Sequence, residues 1–278
     1  MASEPPSLTV GEASRQAIRF LSEHGIESPR LTAEVLLSRA LGQDRVYLYA
    51  HPEAPLPELA WIHFGRWLHE RSQGKPLQYI TREQEFYGRR FTVGPGVLIP
   101  RPETELIVEL ALRNEPTTVL DIGTGSGILA ITLALEWERP TVATDISAEA
   151  LRIARANAEA LGAPVQFVQA DLAAAFAGHS FDAIVTNPPY VPAGDGPGLQ
   201  REVRDWEPPT ALFSGPDGLD HYRRLEPLCR RLLRPGGWLL GEFGYGQAAA
   251  IAELFQGWRA VELHADLAGT PRVLAART

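Results

Sequence analysis

In the first third of the chain, apolar residues recur at helical spacing between recognisable caps. Thr9 followed by Glu12 makes a capping box, and Ala13, Ala17, Ile18 and Leu21 then share one face that ends near Gly25. Ser28-Pro29 reads as an N-cap with proline in the first turn, and Leu31, Val35, Leu36 and Ala40 continue the spacing to Gly42. Asp44 caps a short helix over Arg45–Ala50, and a last helix covers about 57–72 with Leu59, Ile62 and Trp67 inward. The pattern predicts a small helical bundle over residues 1–80, suited to docking a partner.

The period then changes. Glu85-Phe86-Tyr87, the turn Gly88-Arg89 and Arg90-Phe91-Thr92-Val93 read as a β-hairpin. Gly94-Pro95-Gly96 makes a second turn and Val97-Leu98-Ile99 a short strand, so 81–100 reads as a linker. A helix opens near Pro102, with acids at its positive end. From Thr117 onward strands and helices alternate. The strands fall at 119–122, 141–144, 165–168, 181–185, 238–242, 260–264 and 271–276. Between them lie helical stretches at 128–137, 148–161, 218–234 and 248–256. Alternation of this kind predicts an α/β fold over 101–278, with a mostly parallel sheet covered by helices on both faces.

Composition narrows the class. A chain of 278 residues, 45% hydrophobic and 22% charged, is globular in composition and long enough for two domains. The net charge of −8 lacks the basic footprint of a nucleic-acid coat, although Arg89, Arg90, Arg101, Arg201 and Arg204 leave room for a local patch. Cys229 is the single cysteine, so no intrachain disulfide can form, and its apolar neighbours Leu225, Leu228 and Leu232 mark it as core. The start is polar, without the basic and apolar runs of a signal peptide, and no apolar stretch reaches the ~18 residues of a membrane span. A cytoplasmic monomer is the expectation. His51, His63 and His69 have no Cys or carboxylate at ligand spacing, so no metal site is expected.

Candidate chemistry gathers where strands end. Asn187-Pro188-Pro189-Tyr190 follows a buried strand, the place where open α/β sheets bind ligands. The two prolines stiffen the loop and remove two donors, which leaves the Asn187 and Pro188 carbonyls and the Asn187 side-chain oxygen as acceptors. Tyr190 adds a flat ring. This set suits a planar –NH₂ group, although Asn-Pro alone also marks ordinary turns. Upstream, Asp121 precedes the loop Gly123, Thr124, Gly125, Ser126, Gly127, where glycines let the backbone approach a ligand closely. The spacing is not that of a dinucleotide fingerprint, and the Asp121 carboxylate would repel a pyrophosphate but suit an ammonium. Asp145 closes the next strand at an offset that suits ribose hydroxyls. Asp171, beside Leu172, can accept from an adenine amine. Each acid singly reads as a turn or cap. Together they fit an adenosine carrying an amino-acid tail and a sulfonium, S-adenosylmethionine.

These residues resemble a class I methyltransferase acting on a planar nitrogen. Two further stretches are similar to signatures of the release-factor glutamine methyltransferase (HemK-type) family. They are Leu98-Ile99-Pro100-Arg101-Pro102-Glu103-Thr104-Glu105 and Glu207-Pro208-Pro209-Thr210-Ala211-Leu212 leading to Gly218-Leu219. The resemblance covers nearly the whole chain. It implies a seven-stranded Rossmann-like sheet behind the helical bundle, with S-adenosylmethionine as cofactor and S-adenosylhomocysteine as product. It also implies the glutamine of the Gly-Gly-Gln motif of class 1 peptide-chain release factors as substrate. Carried over, Asp121, Gly123, Thr124, Gly125, Ser126, Gly127, Asp145, Asp171, Leu172 and Asn187 hold the cofactor. Asn187, Pro188, Pro189 and Tyr190, with Arg101 and Glu103, meet the substrate. The Asn-Pro-Pro-Tyr run is shared with adenine-N6 methyltransferases, and a glutamine of a ribosomal protein is a further alternative.

Overall fold

The computed structural model describes residues 8–278, and the polar start and its expected fraying lie outside them. The chain divides into two compact units. One runs up to Arg82 and takes in Arg201–Trp206, and the other holds Glu83–Gln200 and Glu207–Thr278. Among the described residues no helix is long and apolar enough to cross a membrane.

The first unit is helical. It contains α1 (Val10–Glu23), α2 (Pro29–Leu41), α3 (Arg45–Ala50), α4 (Glu58–Ser72) and α5 (Leu77–Thr81). The capping box forms as the sequence predicts: the Glu12 amide donates to Thr9 Oγ1 at 3.2 Å and the Thr9 amide to Glu12 Oε2 at 2.9 Å. Asp44 accepts from the Tyr47 amide at 2.8 Å. Ser28 does not cap with its side chain and adopts a left-handed φ of 49°.

The inward faces differ from expectation. Leu31, Leu59 and Ile62 are exposed and Trp67 is half-buried. The first turn of α4, Leu59-Ala60-Trp61-Ile62, is apolar on every side, so its periodicity does not select a stripe. The stripe that buries is Ala60, Phe64 and Leu68, which packs with Leu21, Leu36 and Leu37. The six-residue helix Arg201–Trp206, unforeseen in the sequence, joins this unit through buried Arg71, whose Nη2 lies 2.7 Å from Glu202.

The second unit opens with a hairpin, β1 (Glu83–Phe86) and β2 (Arg89–Thr92). Its turn is Tyr87-Gly88, both at positive φ (49° and 69°), the arrangement that matches strand twist in two-residue hairpins. Val97-Leu98-Ile99 is not a strand. The Ile99 amide donates to the Glu207 carboxylate at 3.1 Å, so its hydrogen bonding is met by a side chain.

A short 3₁₀ turn, Pro102–Thr104, leads into α6 (Glu105–Asn114). Then follow β3 (Val119–Ile122), α7 (Ile128–Trp137), β4 (Thr141–Asp145), α8 (Ala148–Leu161), β5 (Val165–Gln169) and β6 (Phe181–Thr186). Helix α9 is Arg201–Trp206. The chain finishes with α10 (Asp220–Leu232), β7 (Leu233–Glu242), α11 (Ala248–Leu254), β8 (Ala260–Ala265) and β9 (Pro271–Arg277).

The seven strands lie in the order β5-β4-β3-β6-β7-β9-β8, all parallel except β9, which runs antiparallel to both neighbours. Alternate strand residues feed opposite faces. Leu120, Ile184 and Leu239 pack with Tyr222 and Leu225 of α10, and Cys229 is buried among them. Val119, Val185 and Leu240 pack on the other face with Ile107 of α6, Ile131 of α7 and the hairpin's Phe86 and Phe91. The order reverses between β3 and β6, which opens a crevice at their carboxyl ends.

Candidate active site

That crevice is a cavity of about 380 Å³ in the second unit. The loop after β3 forms one wall. The amides of Gly123 and Thr124 both donate to the Thr144 carbonyl at 2.9 Å, so the loop is pinned to the end of β4. The Gly125 amide donates to Asp145 Oδ2 at 2.9 Å. Gly123, Thr124, Gly125 and Ser126 line the cavity. Gly127 does not. Its φ is 90°, and a Cβ there would sit 2.7 Å from Ile131, so its glycine serves the packing of α7. The buried Asn157 of α8 ties the loop to the hairpin by donating to the carbonyls of Ser126 (2.9 Å) and Thr92 (3.0 Å).

The three acids sit in different settings. Asp121 is buried and lines the cavity. Its Oδ2 accepts from the Thr124 hydroxyl (2.6 Å) and the Ala130 amide (3.2 Å), while its Oδ1 is buried without a partner. Burial pushes its carboxyl up to about 7 against those two hydrogen bonds. Asp145 accepts one backbone amide on each oxygen, from Gly125 and from Ser147, and keeps further lone pairs for a ligand. Asp171 is half-exposed and paired with Arg224 at 2.7 Å. Beside it Leu172 holds φ at 51°, a left-handed conformation uncommon outside glycine and concentrated at functional sites. Asp145, Asp171 and Leu172 all line the cavity, as do Arg224 and His221, whose Nδ1 lies 2.8 Å from Ser214 Oγ.

The loop after β6 forms the opposite wall through Asn187, Pro188 and Pro189. The Asn187 amide nitrogen donates twice, to Thr104 Oγ1 and to Glu242 Oε2, each at 3.0 Å. Its Oδ1 is buried and has no partner. Tyr190 is outside the cavity wall, and its hydroxyl donates to Glu242 Oε1 at 3.0 Å. Gln247 donates to the Tyr190 carbonyl at 3.0 Å and fixes the end of the loop. Gly218 abuts the same carbonyl so closely that a Cβ would lie 2.2 Å from it.

Sequence reasoning missed Glu242 and Thr104. Glu242 is almost wholly buried, and burial raises its pKa while hydrogen bonds from Thr104 (2.6 Å) and Tyr190 oppose that rise. It ends an apolar strand, the same signal that singled out Asp121 and Asp145.

Arg101 and Glu103 do not line the cavity. Arg101 pairs with buried Glu207 at 2.5 Å and donates to the Ile99 carbonyl, and Glu103 is exposed. Glu207 thereby joins the two signature stretches to each other. Two other arginines of the suspected basic patch are paired with acids, while Arg90 is exposed. Arg89 pairs with Glu136 at 2.6 Å and Arg204 with Asp205 at 2.8 Å.

The chain matches two families: the PrmC N-terminal domain over residues 12–81 and the Methyltransferase small domain over 102–197. A methyltransferase from Pyrococcus furiosus shares the fold, with a TM-score of 0.54 at 19% identity over 69% of this chain and 90% of that one. The release factor glutamine methyltransferase of Moorella thermoacetica is 44% identical over 97% of this chain and 98% of its own. That of Bacillus subtilis is 40% identical over 96% and 97%. Its counterpart in Koribacter versatilis is 45% identical over 97% of this chain and 99% of the relative. Kinship of this extent makes the chain a methyltransferase that belongs to the release factor glutamine methyltransferase family.

Proposed function

We propose that the protein methylates the side-chain amide nitrogen of the glutamine in the Gly-Gly-Gln motif of class 1 release factors, with S-adenosylmethionine as donor. One observation carries this reading. The Asn187 amide turns its nitrogen to Thr104 and Glu242 and leaves its oxygen buried and unpartnered beside the cavity. A buried acceptor without a donor costs about 1–3 kcal/mol, which an incoming N–H recovers.

The residues present fit the cofactor. Asp121 offers an unpartnered carboxylate oxygen for an ammonium, Asp145 has lone pairs for ribose hydroxyls, and Asp171 with Leu172 lies where an adenine would be met. When bound, S-adenosylmethionine supplies a methyl group already activated on a sulfonium, and S-adenosylhomocysteine remains.

What the protein adds is position. An amide nitrogen is a poor nucleophile because its lone pair is delocalised. Holding it in an attacking geometry is worth ~7–11 kcal/mol of barrier. Asn187 Oδ1 and the Pro188 carbonyl accept its two N–H bonds. Both strengthen as positive charge develops on nitrogen, so they favour the transition state over the ground state, and the strongly acidic N-methylated amide then gives up one N–H proton to water. The same two acceptors repel a carboxylate, which selects glutamine over glutamate.

Pairing of Arg89, Arg101 and Arg204 with acids offsets part of the charge of the suspected basic patch, which favours a protein substrate over the adenine reading. A cytoplasmic location accords with a partner that works in translation. The test is incubation with methyl-labelled cofactor and three acceptors: release factor, ribosomes and duplex DNA. Labelling confined to the release factor supports the proposal, and labelling of ribosomes or DNA in its place overturns it.

A further inference from the structure

We propose that Glu242, acting with Thr104, is the positioning residue that sets which end of the Asn187 amide faces the acceptor. It thereby makes the site demand an N–H donor. The inference rests on the glutamine-amide reading above and deepens it.

The assignment follows from counting protons. Thr104 has one hydroxyl proton, and at 2.6 Å that proton goes to Glu242 Oε2. Thr104 Oγ1 therefore presents only a lone pair to Asn187. Glu242 as a carboxylate is acceptor-only. Both oxygens lie 3.0 Å from the same corner of the Asn187 amide. Only the NH₂ end satisfies two acceptors. The reversed amide would set oxygen against two oxygens, forfeit two hydrogen bonds and present donors to the cavity.

Glu242 is itself held fast. Its other oxygen accepts from Tyr190, and its backbone carbonyl accepts from the Tyr222 hydroxyl at 2.6 Å. It ends β7, which pairs with β6, the strand that delivers Asn187, so the two side chains share one rigid frame. Thr104 reaches the pair from the 3₁₀ turn before α6, three residues after Arg101. The end left without a partner is the acceptor Oδ1, on a residue that lines the cavity.

Removing the charge while keeping the shape breaks this logic. In Glu242→Gln the side chain carries both donor and acceptor, so either orientation of Asn187 can be matched. The chain has three asparagines, at 114, 157 and 187. Asparagine-selective ¹⁵N labelling thus gives three side-chain NH₂ pairs, and the pair absent from Asn187→Ala identifies Asn187. Asn114 bonds to Leu110, and Asn157 to Thr92 and Ser126, so both serve as internal controls of folding.

The test measures these spectra on the full chain, together with kcat and KM on release factor and cofactor affinity. In Glu242→Gln the Asn187 pair should shift and exchange faster while the other two pairs stay. The value of kcat should fall about ten-fold or more, the worth of a charge-assisted hydrogen bond, with KM and cofactor affinity within about three-fold. Thr104→Val should act in the same direction and Thr104→Ser should restore the wild-type behaviour, which covers the case of a misfolded Glu242 variant. An unmoved Asn187 pair, or a shifted pair with unchanged kcat, overturns the proposal. If wild-type protein does not methylate release factor at all and the Asn187 pair still shifts, the orientation stands and the substrate reading falls.

Discussion

The Asn187 side chain donates two hydrogen bonds inward and keeps its oxygen buried without a partner. Asn187→Ala removes the held acceptor and should lower kcat by about a hundred-fold, in line with loss of a single oxyanion-hole partner, while cofactor affinity moves little. Tyr190 contributes more than a ring. Tyr190→Phe leaves Glu242 Oε1 without its donor, and a buried unsatisfied acceptor costs about 1–3 kcal/mol, read as a lower denaturant midpoint. Asp121 carries a pH signature. Its carboxyl is raised to about 7, so below that pH it is mostly protonated in the free protein and must ionise to meet an ammonium. Cofactor affinity should therefore fall roughly ten-fold per pH unit below 7 and level off above it. Asp121→Asn should bind more weakly with no such slope, and calorimetry across pH 5–8 decides. The same shift makes the ligand-free fold lose stability as pH rises from about 4 to about 7, because the unfolded carboxyl has given up the proton that the folded one still holds.

At the scale of elements, the site depends on residues that hold its loops from outside the cavity wall. Glu207 joins Ile99 and Arg101 across the two signature stretches. Glu207→Ala should cost about 1–3 kcal/mol by leaving the Ile99 amide unpaired, and Glu207→Gln about half as much, both measurable by urea unfolding. Gly218→Ala places a Cβ against the Tyr190 carbonyl at a φ of 79°, so it should displace the loop after β6 and cut kcat more than stability alone explains. The strands and the helices α7 and α8 were legible in the sequence because a buried parallel sheet writes near-continuous apolar runs bounded by glycines and acids. The loop after β6 was legible as part of the cavity wall because prolines restrict it at a strand end. The inward face of helix α4 was not, since four consecutive apolar residues, Leu59 to Ile62, carry no phase. The run Val97-Leu98-Ile99 looked like a strand because burial and strand pairing leave the same apolar signature. Glu242 escaped notice because its part is played through hydrogen bonds to Thr104 and Asn187, 138 and 55 residues away in sequence.

At the scale of the molecule, the chain forms two units. The helical unit lines no part of the cavity, so we propose that it grips the protein substrate while the sheet unit carries the chemistry. A shortened chain beginning at Glu83 should still bind cofactor, somewhat more weakly because α9 loses its own neighbours, and should lose most activity on intact release factor. Normal turnover by that chain would dismiss the docking role. The central claim, that an oriented acceptor selects an amide nitrogen, is tested most directly by single-turnover methylation of a release factor and of its Gln→Glu variant in the Gly-Gly-Gln motif, each with wild-type protein and with Asn187→Ala. The account predicts rapid labelling of the glutamine form by wild type, none of the glutamate form, and a rate about a hundred-fold lower with Asn187→Ala. Equal labelling of both forms by wild type, or full activity of Asn187→Ala, would contradict it.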